Sequence, residues 1–551
     1  MPFPVFVLVS SLIAAATAGA TLLLRRRPGL AAPAALVGTA GLLIFHGPGF
    51  FRLFPVDDAF ILFRYSKNLA NGLGPNWNSE GHVEGYTSFL WMAVLAGMDK
   101  AGIDIVAGAR ALAWASILGT LVIVWRIWKL WADEHPGSGL DSPAVLAIAL
   151  LGLGLADGVS FWGFSGMETP LFMLLLAFAA YLYLAEQRGS AVPWSALAFV
   201  AVALTRPEGA IAAGVTGAFV VAEVAYAEDR PRAIARAAAW GALFVGLYGS
   251  YFLWRYSYYD YLFPNTFYAK AGPTTAVLNR GVDYILAALL NYQLLAMFGG
   301  LALLTLLPRL RRDAAYIGAL TLALLGAVAI EGGDSFGHGR FIAPLLPLMY
   351  LSGVAGFAVL LRRLPFDVRQ SGVAAGVFLA VAGLMLLRGS NNPYLPEERY
   401  NAEDRRMLGE WLSERTPPDY TIAAFAIGTL GYYSDRDMLD LLGLNDVTIG
   451  HTDIPNFGSG IAGHEKFNPT YVYEEVRPEI IITGDSSPGP QTLEELQRLL
   501  SIAALPAKAA YFIDPRAWEL YDVRSVMIEG RWFNFLQRRD TIAELEATGL
   551  Q

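Results

Sequence analysis

The chain has 551 residues, of which 55% are hydrophobic and 16% are charged, and its mean hydropathy is +0.43. Soluble domains carry roughly 25% charged residues, so this composition indicates a polytopic membrane protein. The net charge of −8 argues against a nucleic-acid partner, because phosphate binding requires a basic face. The absence of cysteine excludes disulfides and thiolate metal sites.

About twelve stretches are predicted to cross the membrane, since a spanning helix needs about 20 mainly apolar residues. They are residues 4–24, 30–51, 106–131, 143–157, 170–186, 192–206, 209–227, 233–256, 288–307, 314–330, 341–361 and 370–388. The basic residues Arg25–Arg27 follow the first stretch, whereas a secretory signal begins with its basic region. We therefore expect an uncleaved first span with its N-terminus outside.

Alternate loops carry the basic residues, and cytoplasmic loops are enriched in Lys and Arg. These residues are Arg25–Arg27, Arg126, Lys129, Arg188, Arg230, Arg232, Arg236, Arg309, Arg311, Arg312, Arg362, Arg363 and Arg369. They fall on one side only if residues 192–227 form two helices that meet at Pro207. A single helix broken at this proline would reverse the later topology. The hairpin is the preferred interpretation, with its tip outside.

Residues from about 389 onward form a polar linker and then a segment without a membrane-length span. Helices are predicted at residues 403–416 and 493–504, and buried strands at 421–428 and 478–485. The predicted fold is a polytopic α-helical membrane protein with a C-terminal soluble α/β domain. The expected division is a transmembrane domain over 1–388, with its first outer loop at about 52–105, and an extracytoplasmic domain over 389–551.

Two adjacent acids, Asp57 and Asp58, follow the second span, and acids at a membrane boundary are costly to place. At about 100° per residue, Asp57 and Arg64 share one helix face, where they could position a hydroxyl and a phosphate. The alternative is a solvated helix start, where the helix dipole favours acidic residues. Glu84 and Tyr86 follow in a segment that could equally serve as an interfacial anchor.

Further polar clusters fall on the same predicted outer side. Glu168 opens a helix, where acids usually act as caps, and Arg206 and Glu208 at the hairpin tip could form a structural ion pair or contact a ligand. Two outer loops contribute Asn265, Tyr268, Lys270, Glu331, Asp334, His338 and Arg340. Their cations could hold a phosphate, and Asp334 with His338 makes only a weak metal site. Convergence on one side predicts one polar cavity.

Residues 57–91, DDAFILFRYSKNLANGLGPNWNSEGHVEGYTSFLW, resemble bacterial membrane glycosyltransferases of the GT-C superfamily, above all the terminal arabinofuranosyltransferases of cell-wall arabinan synthesis. SGMET, TRPEG, PNTFYAK, GHGRFIAPLLP and DLLGLND follow in the same order. The resemblance spans most of the chain.

This resemblance implies transfer of a sugar, with arabinofuranose as a candidate, from a polyprenyl-phosphate carrier to a glycan, lipid or protein acceptor. It implies a bacterial cytoplasmic (inner) membrane protein whose site and C-terminal domain are periplasmic. The expected partners are membrane lipid, the lipid-linked sugar donor and an envelope acceptor, and neither a cofactor nor a metal is expected. A transporter or flippase for a lipid-linked saccharide is the main alternative, and a scaffold is a third.

We expect an inverting reaction in which Asp57 or Asp58 is the general base. The donor phosphate would be bound by Arg64, Lys270, His338 and Arg340. Substrate contacts are expected from Glu84, Tyr86, Glu168, Arg206, Glu208, Asn265, Tyr268 and Asp334.

Overall fold

The structure is a computed structural model that describes residues 3–50, 55–189, 192–363 and 394–542. Its first part is helical. The helices are α1 (Phe3–Leu23), α2 (Pro28–Phe50), α3 (Asp57–Ala70), α4 (Phe89–Lys100), α5 (Ile105–Glu134), α6 (Pro143–Leu155), α7 (Asp157–Phe164), α8 (Thr169–Glu186), α9 (Trp194–Thr205), α10 (Glu208–Tyr226), α11 (Arg230–Tyr259), α12 (Asn265–Lys270), α13 (Thr275–Asn291), α14 (Leu294–Leu304), α15 (Arg311–Glu331) and α16 (Leu346–Arg363).

Within the described ranges, eight helices are long and apolar enough to cross a membrane, or up to ten if each bent pair is one span. The bent pairs are α6 with α7, at 56°, and α13 with α14, at 74°. The predicted span 288–307 is therefore wrong in its bounds, because the chain turns at Gln293, whose backbone is left-handed. The predicted span 370–388 lies outside the described residues. The polytopic helical class is confirmed.

The hairpin at Pro207 is confirmed. Helix α9 ends at Thr205 and α10 begins at Glu208, and the two helices pack against each other. The contact is close at Gly209, where an added Cβ would lie 2.5 Å from the backbone carbonyl of Val202. A glycine at this position is what lets the second helix start immediately beside the end of the first.

Basic residues predicted to share one side do gather at one end of the bundle. Arg188 donates to Glu134 at 2.7 Å and to Asp313 at 2.7 Å, which joins α5, α8 and α15. Arg236 at the start of α11 lies 3.4 Å from Glu186 at the end of α8. Two of the carboxylates, Asp313 and Glu186, are buried, and each has a partly buried arginine as its counter-charge.

The acidic motifs lie at the opposite end of the same helices. Helix α8 runs from Thr169, which follows Glu168, to Glu186, and its 18 residues span about 27 Å. Glu331 likewise ends α15, whose first turn lies in the basic end. The polar residues of the predicted site are therefore separated from the basic end by the thickness of the bundle.

The C-terminal part is an α/β domain. It contains α17 (Tyr394–Arg415), β1 (Thr421–Ala424), α18 (Gly428–Ser434), β2 (Asp437–Asp440), α19 (Val447–Gly450), β3 (Ile480–Ile482), α20 (Leu493–Ser501), α21 (Pro506–Ile513), α22 (Arg516–Leu520), β4 (Tyr521–Ile528) and β5 (Arg531–Arg538). The sheet order is β2-β1-β3-β5-β4.

Strands β1, β2 and β3 are parallel, and β5 runs antiparallel to β3 and to β4. The predicted helices and strands correspond to α17, β1, β3 and α20. Strand β2 and the β4–β5 hairpin were not predicted. The predicted domain boundary at 388/389 lies outside the described residues.

The segment between α3 and α4 is held in place by a buried ion pair. Glu84 lies 2.5 Å from Arg255 of α11, and both side chains are buried. Arg255 also donates to the carbonyls of Tyr261 and Leu262. Glu84, predicted to contact substrate, is instead a structural partner, since its carboxylate is bonded to Arg255 and it is not among the described residues of the cavity below.

Glu84→Ala should lower the midpoint of thermal unfolding in detergent, because it leaves the buried Arg255 without its counter-charge. Truncating one partner of a buried pair costs about 3–5 kcal/mol. Lys129→Ala removes an exposed pair with Asp133 and serves as the control, with an expected cost of about 0–1 kcal/mol. Equal shifts for the two variants would contradict a structural role for Glu84.

Candidate active site

A cavity of about 400 Å³ lies at the acidic end of the bundle, next to the C-terminal domain. Its ionisable lining residues are Asp58, Glu168, Arg206, Glu208, Lys270, Glu331 and Arg340. Tyr86 also lines it, and Leu444 of the C-terminal domain contributes to its wall. The volume is in the range of small-molecule sites. The predicted convergence of separate polar motifs on one cavity is therefore present in the structure.

Asp58 lies in the first turn of α3 and lines the cavity. Its Oδ2 lies 3.8 Å from Nη1 of Arg340, and 27% of its side chain is exposed. The start of α3 is held by Val56, whose N–H donates to the carbonyl of Ser165 at 3.0 Å. The carboxylate is thus fixed at a helix N-terminus, beside a cation, with one face open to the cavity.

Asp57 points elsewhere. Its carboxylate accepts the N–H of Gly428 at 3.1 Å and that of Thr429 at 3.0 Å, both at the start of α18. Nη1 of Arg405 lies 3.4 Å from its Oδ1. Asp57 is not among the described residues that line the cavity. Of the two acids predicted as alternative bases, Asp58 is the one that faces the cavity.

Arg340 is held in place by Asp334 and by aromatic rings. Its Nη2 donates to Oδ1 of Asp334 at 2.6 Å, and its guanidinium carbon lies 5.3 Å from the ring centroid of Phe336 and 5.1 Å from that of Phe341. Asp334 was predicted to contact substrate. Its side chain is 2% exposed, and its role here is to orient Arg340.

Lys270, the last residue of α12, also lines the cavity. Among the described residues, its ammonium group has no hydrogen-bond acceptor and no carboxylate within 4 Å. Burial lowers the pKa of Lys270, and the charge of Asp58 opposes that shift. Lys270 and Arg340 therefore bring positive charge to the part of the cavity that contains Asp58.

Arg206 gathers carboxylates on the remaining wall. It donates to Glu168 at 2.6 Å and to Glu208 at 2.7 Å, and its guanidinium lies 4.6 Å from the ring centroid of Phe341. Glu168, expected as a helix cap, is bonded to Arg206 and makes no capping bond to α8. Glu331 lines the same cavity, so carboxylates outnumber the guanidinium on this wall.

Arg64, predicted to bind the donor phosphate, is a structural residue. Its guanidinium donates to the carbonyls of Trp77 at 2.7 Å, Gly431 at 2.6 Å and Arg436 at 2.7 Å. It also stacks on the Trp77 ring, 4.6 Å from its centroid. It is missing from the described cavity lining, because the face of α3 that carries it packs against the C-terminal domain.

His338, also predicted to bind phosphate, is paired within the bundle. Its Nδ1 lies 2.7 Å from Oδ2 of Asp157, and its ring stacks on Phe161 with centroids 4.2 Å apart. Asp334 and His338, considered together as metal ligands, are thus bonded to different partners. Sequence spacing within the loop could not reveal Asp157, which lies 181 positions away.

Asn265 and Tyr268, predicted to contact substrate, contact the C-terminal domain instead. The Asn265 amide donates to the carbonyls of Gly443 at 2.9 Å and Leu444 at 3.1 Å. The Tyr268 ring lies 4.2 Å from that of His451, centroid to centroid. These contacts bring the DLLGLND segment to the cavity, which is how Leu444 reaches its wall.

Sequence reasoning assigned no role to several residues of the cavity. Thr87, Ser88, Thr266 and Phe341 line it together with Leu444. Each lies inside or beside a motif quoted for the family resemblance, so the motifs located the cavity better than the choice of charged residues did.

Comparisons with known proteins give one family match and two similar solved structures. Residues 394–535 match a family described as a domain of unknown function, DUF8728. No curated protein matches the chain in sequence. The crystal structure of ArnT from Cupriavidus metallidurans bound to undecaprenyl phosphate matches with a TM-score of 0.55 at 14% identity, over 93% of this chain and 98% of that chain.

The apo structure of the same ArnT matches at a TM-score of 0.49 and 14% identity, over 90% of this chain and 94% of that chain. The match to the lipid-bound structure shows a shared fold. The chain therefore has the fold of this ArnT. The predicted fold class is therefore confirmed.

Proposed function

We propose that this protein is a membrane glycosyltransferase that moves a sugar from a polyprenyl-phosphate carrier to an acceptor. The observation that carries the proposal is the cavity in which Asp58 lies beside Arg340 and Lys270. The shared fold adds support, since the ArnT structure holds undecaprenyl phosphate, which is a polyprenyl phosphate. One cavity that offers both a base and phosphate-binding cations matches the two demands of this reaction.

Asp58 accepts the proton of the acceptor hydroxyl as the hydroxyl oxygen attacks the anomeric carbon. The bond between that carbon and the phosphate oxygen breaks on the opposite side, so the configuration inverts. The electron pair of the broken bond stays on the polyprenyl phosphate, and Arg340 and Lys270 stabilise its charge. Asp334 keeps Arg340 oriented during this step. The lipid-linked donor supplies the leaving group, so the proposed reaction needs no additional cofactor.

The wall around Arg206 is suited to sugar hydroxyls. Glu168, Glu208 and Glu331 offer acceptor oxygens, and carboxylates that share one guanidinium retain further acceptor capacity. The resemblance of residues 57–91 makes arabinofuranose the first sugar to test. Glycans, lipids and proteins of the envelope are the candidate acceptors.

The positive-inside rule assigns the basic end of the bundle to the cytoplasm. In this arrangement the cavity and the C-terminal domain lie on the periplasmic side of a bacterial cytoplasmic membrane. Residues 1–388 would then hold the catalytic groups, and residues 389–551 would form the extracytoplasmic domain. A cavity at one end of the bundle favours transfer at one membrane face over a transporter or flippase, whose binding sites typically lie near the midplane.

Asp58→Asn should lower sugar transfer about 10²- to 10⁴-fold, because the amide cannot take the acceptor proton. The assay would use proteoliposomes with undecaprenyl-phospho-arabinofuranose and undecaprenyl-phospho-hexose donors, together with a bacterial envelope extract that supplies acceptors, and would measure released undecaprenyl phosphate. Glu80→Gln, at an exposed acid of the segment between α3 and α4, is the matched control. Full activity of Asp58→Asn would contradict its role as base. Lipid-linked sugar that crosses the bilayer without transfer would instead favour the flippase alternative.

Arg340→Ala should weaken binding of undecaprenyl phosphate, measured by native mass spectrometry. A hydrogen bond to a charged group is worth about 1.5–3 kcal/mol, which corresponds to about 10- to 150-fold in affinity. Arg340→Lys should retain part of the affinity, since it keeps the charge but not the bidentate geometry. Arg126→Ala, at an exposed arginine of the basic end, controls for net charge. If neutral undecaprenol lost affinity equally, Arg340 would not act on the phosphate.

Binding of undecaprenyl phosphate should weaken as pH rises through the alkaline range. The pKa of Lys270 is lowered from the usual 10.5 by burial, so its positive charge is lost at a lower pH than in an exposed lysine. Lys270→Arg should move this loss to higher pH, because a guanidinium stays protonated above about pH 12. Affinity measured from about pH 7 to pH 10.5 would test this. Superimposable pH profiles for wild type and variant would exclude Lys270 from the phosphate site.

A further inference from the structure

The start of α3 lies at the carboxyl ends of two parallel strands of the C-terminal domain. Strand β1 ends at Ala424 and leads to Gly428, while the neighbouring β3 ends at Ile482 and leads to Asp485. The chain leaves β1 for β2 on one side, and returns to β3 on the other. Open α/β sheets bind ligands at such a switch point. Here the carboxylate of Asp57 occupies this position.

Asp57 makes contacts of the kind that a bound carboxylate makes, to two backbone N–H groups and a guanidinium. It accepts the N–H of Gly428 at 3.1 Å and that of Thr429 at 3.0 Å. Arg405 of α17 lies 3.4 Å from Asp57 and donates to Asp485 at 2.9 Å and 3.2 Å. One guanidinium therefore joins the acid of α3 to the segment that follows β3.

The two backbones also meet directly. A Cβ added to Gly428 would lie 1.9 Å from the carbonyl oxygen of Asp57, so only glycine permits this approach. Arg64, seven residues further along α3 and on the same face, donates to the carbonyl of Gly431 in α18 at 2.6 Å. The first two turns of α3 are thus tied to α18 at two points.

We infer that Asp57 is a positioning residue that anchors the start of α3, and with it Asp58, to the C-terminal domain. The inference rests on the proposed role of Asp58 as the base. Asp58 is joined to Asp57 by one peptide bond, and catalytic groups must be held to within about 0.5 Å of their productive position. The C-terminal domain therefore helps to hold the active site in place, whether or not it also binds the acceptor.

Asp57→Asn and Arg405→Gln test the anchor from its two sides. Arg406→Gln is the matched control, since Arg406 is adjacent in α17 and forms a partly exposed pair with Glu410 at 2.8 Å. Hydrogen–deuterium exchange of the peptide that contains Gly428 and Thr429 reports the anchor. Release of undecaprenyl phosphate from the undecaprenyl-phospho-sugar that the wild type uses reports turnover, and affinity for undecaprenyl phosphate is measured in parallel.

Both anchor variants should raise exchange at Gly428 and Thr429 and lower turnover about 10- to 100-fold, the size expected for a displaced catalytic group. Affinity for undecaprenyl phosphate should change little, because Arg340 and Lys270 are untouched. The double variant should be no less active than the less active of the two single variants, because both residues belong to one anchor. Arg405→Lys should retain more turnover than Arg405→Gln. Arg406→Gln should match the wild type in every measurement.

Unchanged exchange in Asp57→Asn would overturn the inference, as would wild-type turnover in Arg405→Gln. If Asp57→Asn abolished transfer while its exchange stayed unchanged, Asp57 would be the base itself. If the wild type used no polyprenyl-phospho-sugar but both variants still raised exchange, the anchor would stand and the proposed function would fail.

Discussion

Burial of the Arg64 guanidinium joins the three parts of the chain that surround the cavity. A buried charge without partners costs several kcal/mol, so the carbonyls of Trp77, Gly431 and Arg436 must all reach it. Those carbonyls belong to the segment after α3 and to the C-terminal domain. Once Arg64 is satisfied, α3 is fixed between them, and Asp58 at its start lines the cavity.

The same demand for compensation distinguishes structural charges from those available to a ligand. Arg206 is neutralised by Glu168 and Glu208, and Arg340 is bonded to Asp334. Asp58 and Lys270 are less constrained: Asp58 has one cation at 3.8 Å, and Lys270 has no assigned ion pair within the described ranges. An apolar bundle tolerates such residues only where water or a polar ligand can satisfy them. The limited pairing of Asp58 and Lys270 supports their proposed roles, Asp58 as the base and Lys270 at the donor phosphate.

Helical periodicity predicted correctly that Asp57 and Arg64 share a face of α3, but it did not predict what that face contacts. The face was assigned to substrate, and it packs against α18. Asn265 was reassigned for the same reason, since its amide donates to the carbonyl of Gly443. In each case the residue type was suited to a polar ligand, and the polar group that binds it is backbone of the C-terminal domain. Residue chemistry alone cannot distinguish a carbonyl of the protein from an oxygen of a substrate.

The sequence by itself determined the membrane class, the break at Pro207 and the separation of acidic motifs from basic loops. These follow from hydropathy, from proline geometry and from the placement of charge along the chain, all of which are local or additive. Only the tertiary structure decided which of two adjacent acids faces the cavity and which cations accompany it. That choice depends on Gly428, 371 positions from Asp57. The N–H of Gly428 donates to the carboxylate of Asp57, and the carboxylate of Asp58 then faces the cavity. Contacts between such distant residues depend on how the helices and the sheet pack, which no local pattern in the sequence encodes.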